Sequence, residues 1–237
     1  MIFQFLTAFA QEGVEAASQA VIPVKEEVSF SLIDMAIKGG PLMIPLALLS
    51  VLTIYMFGER WWAIRKASQI DENFMKNIRD YVHEGKIKSA ITLCQSQNTP
   101  IARLIEKGIQ RIGRPLPDID AAVENTGNVE VAKLERGLPL LATIAGGAPM
   151  IGFLGTVVGM IQAFYNMAQA GNNIDISLLS SGIYVAMVTT VGGLVVGIIA
   201  LFGYNYLVAR IDDVVFKMES YTIEFMDMLH EPANKQS

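Results

Sequence analysis

The sequence predicts an all-α integral membrane protein: three transmembrane helices with long cytoplasmic helical extensions. Three observations carry that reading. Hydrophobic residues make up 52% of the 237-residue chain and charged ones only 17%, and the mean hydropathy is +0.40, a composition of the membrane class. Residues 39–58, 137–174 and 176–209 contain no Asp, Glu, Lys, Arg or His, and each run reaches the roughly 20 residues that a helix needs to cross a bilayer. Between and after these runs, apolar residues recur every three or four positions, the period of half-buried helices.

Basic residues set the expected orientation, because Lys and Arg are retained on the cytoplasmic side. Thirteen of the 18 lie between Arg60 and Arg136, whereas the segment before the first run carries only Lys25 and Lys38. The N-terminus is therefore expected outside and the C-terminus inside. The resulting division is a periplasmic segment 1–38, a first span 39–60, a cytoplasmic helical region 61–137, a second span 138–168, a periplasmic loop 169–177, a third span 178–209 and a cytoplasmic tail helix 210–237.

Met1 to Ala10 places Ile2, Phe5, Leu6 and Phe9 on one helical face, which suits either an interfacial helix or a signal peptide ending at Ala8-Phe9-Ala10. The first span opens at Gly39-Gly40-Pro41 and closes at Glu59-Arg60-Trp61-Trp62, with indoles suited to the headgroup level. Pro45 predicts a local break in it that neighbouring helices must satisfy. In the cytoplasmic region Phe74, Ile78 and Val82, then Ile87, Ile91 and Cys94, then Ile101, Leu104, Ile105 and Ile109 read as core faces. Asp118 or Asp120 is placed to cap a helix leading to the second span.

Gly155 and Gly159 in the second span, with Gly152 a turn before, and Gly193 and Gly197 in the third, supply small faces on which helix backbones can approach. Beyond Arg210, Val214, Met218, Tyr221, Phe225 and Met228 alternate steps of four and three. The third helix should therefore continue into the cytoplasm, about 80 Å in all, and cover this stripe with identical subunits.

No acid within the spans can bind and release a proton, so the polar chemistry left there is hydroxyl chemistry. Thr156, Thr189 and Thr190 either line a pore or bond back to their own helix carbonyls. Cys94, the only cysteine, reads as a buried structural thiol. His83 and His230 have no partnering ligands, so no zinc site is expected. Neither an enzymatic motif nor a nucleic-acid-binding one appears.

Three stretches carry a family resemblance. They are Gly39-Gly40-x-x-Met43-x-Pro45-Leu46 with Ser50 and Glu59-Arg60; Leu140-Leu141-Ala142-Thr143-Ile144 followed by Ala148-Pro149 and Gly152-x-x-Gly155-Thr156-Val157-x-Gly159; and Thr190 through Gly193-Leu194-Val195-Val196-Gly197. With them the chain resembles the MotA/TolQ/ExbB proton-channel family, most closely its ExbB and TolQ branch. MotA itself would need a fourth span.

The resemblance implies a homopentameric ring in the bacterial inner membrane, around two single-span subunits of the ExbD or TolR type that bring the membrane aspartate. It further implies Thr156 and Thr190 as pore threonines, no cofactor, and work passed to a TonB-like or TolA-like protein. Many ExbB and TolQ relatives have a glutamate where this chain has Val185, and the doubled Thr189-Thr190 resembles sodium-driven members of the MotA branch. H+ and Na+ both stand as the coupling ion. The functions implied are energising TonB-dependent outer-membrane transport or, alternatively, TolQ-like envelope maintenance; a passive scaffold is the reading from another class.

Overall fold

The computed structural model describes residues 39–71, 73–169 and 176–230. The expectations for the N-terminal segment, most of the loop around Asp175 and the last seven residues lie outside them. Every regular element among the described residues is an α-helix: α1 (Met43–Ala67), α2 (Phe74–His83), α3 (Ile87–Gln97), α4 (Pro100–Ile109), α5 (Leu116–Glu135), α6 (Leu138–Gln169) and α7 (Ile176–His230). Three helical stretches are long and apolar enough to cross a membrane, in α1, in α6 with α5 leading into it, and in α7.

Helix α1 begins later than the uncharged run does. Gly40 takes a left-handed φ of +73°, and the helix starts at Met43, which puts Pro45 in its first turn. An N–H there has no intrahelical acceptor, so Pro45 removes nothing and the expected break does not occur. At the other end, Arg65 and Lys66 occupy the last turn, where they complement the helix dipole.

Helices α2 to α5 form a bundle around the apolar faces seen in the sequence. Phe74, Ile78, Cys94, Ile101, Leu104, Ile105 and Ile109 are all buried in one core. Thr99 caps α4 by accepting from the Ala102 N–H, ahead of Pro100 at the first helical position. Neither aspartate caps α5. That helix starts earlier, at Leu116 after Pro115, and Asp118 falls inside its first turn, where a negative charge suits the dipole without capping it.

Between α5 and α6 the chain turns at Gly137, φ +91°. A Cβ there would stand 2.7 Å from Met56 Cε and 3.4 Å from Arg60 Nε. The glycine thus serves both the left-handed conformation and the close passage of α1.

Helix α7 is continuous for 55 residues, about 80 Å at 1.5 Å per residue. Its stripe Val214, Met218, Phe225 and Met228 is buried, but in the same core as α2 to α5. The expectation that identical subunits cover it is therefore corrected. The chain's own helices fold back onto it, and the Phe225 ring occupies the space that a Cβ at Gly108 would need.

Candidate ion pathway

The site is built on the antiparallel pair α6 and α7, which pack with almost nothing between their backbones. A Cβ on Gly152 would lie 3.0 Å from the Thr189 carbonyl and 3.1 Å from Gly193 Cα. On Gly159 it would be 2.9 Å from Ala186 Cβ, on Gly193 2.6 Å from the Ala148 carbonyl, and on Gly197 2.5 Å from Pro149 Cγ. Gly155 is filled by the Thr189 side chain itself. Small residues permit this approach, and the resulting backbone packing is what associates helices in lipid.

Pro149 lies inside α6 and cannot donate to Ala145, so that carbonyl loses its helical partner. It sits against Gly197, 3.0 Å from where a Cβ would stand.

The seam extends further than the five glycines singled out from sequence. Gly182 approaches Ala163, and a Cβ on it would be 2.5 Å from the alanine's. Ala148, Ala163 and Ala186 are buried with them. The four-residue steps Gly159 to Ala163 and Gly182 to Ala186 were the available signal, and counting alanine as small would have found them.

The three threonines fall in different places along this seam. Thr189 is 2% exposed, and its hydroxyl donates to the Ala186 carbonyl of its own helix at 2.7 Å. Thr156 is half-buried and donates to the Phe153 carbonyl at 2.6 Å, again within its helix. Thr190 is also half-buried, yet its hydroxyl crosses the seam to the Gly152 carbonyl at 2.9 Å. A further span hydroxyl, Thr53 in α1, is 1% exposed and returns to Leu49 in its own helix.

Helical spacing separates the two edges of the seam. Thr189 meets Gly155 on one edge, and α1 packs over that side: Met43 reaches Gly192, and Val188 lies beside Gly39. Thr156 and Thr190 fall together on the other edge. Phe153, Met160, Met187 and Leu194 accompany them, between 43% and 66% exposed, so this edge is open in the single chain. Val185 lies on the α1 side, 3.5 Å from where a Cβ of Gly40 would be.

Where the spans meet the bundle, charge is concentrated in one buried carboxylate. Glu130 is 4% exposed in its side chain and bonds Arg103 and, at 2.6 Å, Lys133. Burial pushes its pKa up, but the hydrogen bonds from Arg103 and Lys133 outweigh burial and hold it below the usual value of 4.5. Arg60 reaches from the end of α1 to the Lys133 carbonyl at 3.4 Å, which ties α1 to this cluster. Cys94 is buried, and desolvation pushes its thiol up to about 12. It therefore carries no reactive thiolate at neutral pH.

Comparison with known proteins places the chain in a channel family. The profile of the MotA/TolQ/ExbB proton channel family matches residues 96–220, and the chain belongs to that family. A Synechocystis sp. chain named biopolymer transport protein ExbB-like 1 is 32% identical over 181 residues, 75% of this chain and 71% of that one. An ExbB homolog of Methanothermobacter thermautotrophicus is 29% identical over 190 residues, 80% of this chain and 67% of that one. The Tol-Pal system protein TolQ of Pseudomonas aeruginosa is 26% identical over 199 residues, 79% of this chain and 86% of that one.

Proposed function

We propose that this chain is the channel and motor subunit of an ExbB–ExbD-type complex. It draws on the ion gradient of the bacterial inner membrane to energise TonB-dependent outer-membrane transport. The observation that carries the reading is the open edge of the α6–α7 pair, where Thr156 and Thr190 stand together opposite α1. In a ring of five copies these edges face a central lumen, with the N-terminus periplasmic and the C-terminus cytoplasmic.

The runs 39–58, 137–174 and 176–209 carry no Asp, Glu, Lys, Arg or His, so no carboxylate or imidazole of this chain can relay a proton through them. A single-span partner of the ExbD or TolR type, placed in the lumen, would supply the acid, while Thr156 and Thr190 supply neutral oxygens. Thr189 then acts as the plug that seats α7 on Gly155, with its hydroxyl turned to its own helix. Each charge falling through 100 mV releases about 2.3 kcal/mol, so several transfers accompany each unit of work delivered to a TonB-like protein.

The second reading, a TolQ-like subunit of the Tol-Pal system, rests on the match to the Pseudomonas TolQ along most of that chain. Copurification with the membrane partner, followed by identification of that partner's periplasmic domain, separates the two. An ExbD-type partner supports transport, a TolR-type partner supports envelope maintenance, and stable isolation with no partner contradicts both. The coupling ion is tested by flux at fixed proton gradient with and without sodium. Sodium coupling rests on the likeness of the doubled Thr189-Thr190 to sodium-driven members of the MotA branch and on Val185 standing where many relatives have a glutamate, although Thr189 and Val185 lie off the open edge. It is abandoned if sodium makes no difference.

A further inference from the structure

We infer that the groove where α1 emerges beside α7 binds the headgroup of an anionic glycerophospholipid. This groove of about 560 Å3 is lined by Trp61, Arg65 and Ser68 from α1 and its end, and by Tyr206, Arg210 and Lys217 from α7. Its height follows from the sequence. Arg210 is the first charge after the uncharged run 176–209, and Arg65 stands seven residues beyond the run 39–58. Trp61 and Tyr206 belong to the aromatic level between hydrocarbon and water.

The groove is cationic although the whole chain carries a net charge of −5. Three cations line it against one carboxylate, Asp213. Arg65 lies over the Trp61 ring at 5.4 Å and forms no ion pair with any carboxylate among the described residues. Among the described residues Lys217 is held only by the Ser68 hydroxyl, at 3.3 Å. Arg210 leans on the Tyr206 ring and hydroxyl and reaches Asp213 at 3.4 Å. These side chains are exposed, so water satisfies them in the absence of a ligand.

A phosphodiester offers acceptor oxygens to two guanidinium groups and an ammonium, and planar guanidinium suits it in particular. The apolar wall beside them, with Leu207 and Ile64 at the back and Phe216 72% exposed at the rim, fits the glycerol and the first acyl carbons. Basic pockets between spans at this level bind anionic headgroups in preference to zwitterionic ones. The cations, the aromatic level and the apolar wall together commit the groove to a lipid rather than to a soluble anion.

The test uses the full chain in nanodiscs of equal phosphatidylcholine and phosphatidylglycerol, with retained lipid counted by native mass spectrometry after delipidation in detergent. Phosphatidylglycerol should be retained over phosphatidylcholine. Arg65→Gln and Lys217→Gln should each lower retention about fivefold, and Arg65→Lys should keep most of it. Lys66→Gln removes a cation stacked on Trp62 at 5.7 Å outside the groove and should change nothing. Circular dichroism checks that each variant keeps its helices. Equal retention in wild type and Arg65→Gln overturns the inference, as does displacement of the lipid by millimolar glycerol 3-phosphate, which would mark a soluble phosphate site. A change of oligomeric mass in Arg65→Gln with unchanged lipid also overturns it, because a second copy would then cover the groove.

Discussion

The Thr190 hydroxyl donates to the Gly152 carbonyl, 2.9 Å away on the facing helix, and so joins the two walls of the seam. The neighbouring Thr189 hydroxyl, one residue earlier, turns back to Ala186. Replacing Thr190 by Val keeps the shape and removes the cross-helix bond. Thermal unfolding in detergent should show a loss of about 0.5–1.5 kcal/mol. Thr190→Ser should recover most of it, and a loss in Ser with none in Val would show that the methyl rather than the hydroxyl matters.

The same seam distinguishes glycines that are needed from those that are not. A Cβ at Gly155 collides with the Thr189 side chain, whereas Gly146 and Gly147, on the same helix, have nothing within 4 Å. Gly155→Ala should destabilise by about 1–3 kcal/mol through overpacking. Gly146→Ala should be neutral or slightly stabilising. Similar behaviour of the two variants in a thermal melt would contradict the seam.

Glu130 makes the bundle sensitive to acid. Its folded-state pKa lies below 4.5 because Arg103 and Lys133 hold its charge. The stability it contributes is therefore fully present above pH 4.5 and is lost as pH falls through the depressed value. Both partners are partly exposed, at 36% and 62%, so screening limits the contribution. Glu130→Gln should cost about 1–3 kcal/mol at pH 7 and flatten the decline below pH 4.5. An unchanged pH profile would remove Glu130 from this role.

Phe225 and Gly108 test the fold-back of the bundle on α7. Phe225 is fully buried, at 0% exposed, and Phe225→Ala should cost about 3–5 kcal/mol. Cys94 offers the readout. With its thiol pushed up to about 12 and buried, it should resist maleimide in the wild type at pH 7 and become labelled in Phe225→Ala under mild denaturant. Equal labelling of both would place the stripe elsewhere.

Much of the fold was legible because uncharged runs and apolar periodicity directly report burial in lipid and in a core. The faces Phe74–Ile78, Cys94 and Ile101–Ile109 lie where their spacing puts them. The partner of the α7 stripe was not legible. Val214, Met218 and Phe225 would present the same periodicity to a second subunit or to the chain's own α4 and α5, and only the return of the bundle decides between them. Pro45 shows a finer limit, since the shift of the helix start from Gly39 to Met43 turns a break into an ordinary first turn.

For the candidate site, residue type was readable and direction was not. The adjacent threonines look alike in sequence, yet a rotation of one residue sends Thr189 into Gly155 and Thr190 across to Gly152. Val185 likewise sits toward the start of α1 rather than beside Thr156 and Thr190. Helical phase relative to a neighbour depends on packing, which only the structure supplies.

The most direct test is ion flux through the chain reconstituted with its single-span partner in liposomes under an imposed gradient, compared among wild type, Thr156→Val and Thr190→Val. The threonine edge as ion path predicts that both variants assemble with the partner yet conduct at least about tenfold less, equivalent to roughly 1.4 kcal/mol on the barrier. Assembled variants that conduct like wild type would contradict it.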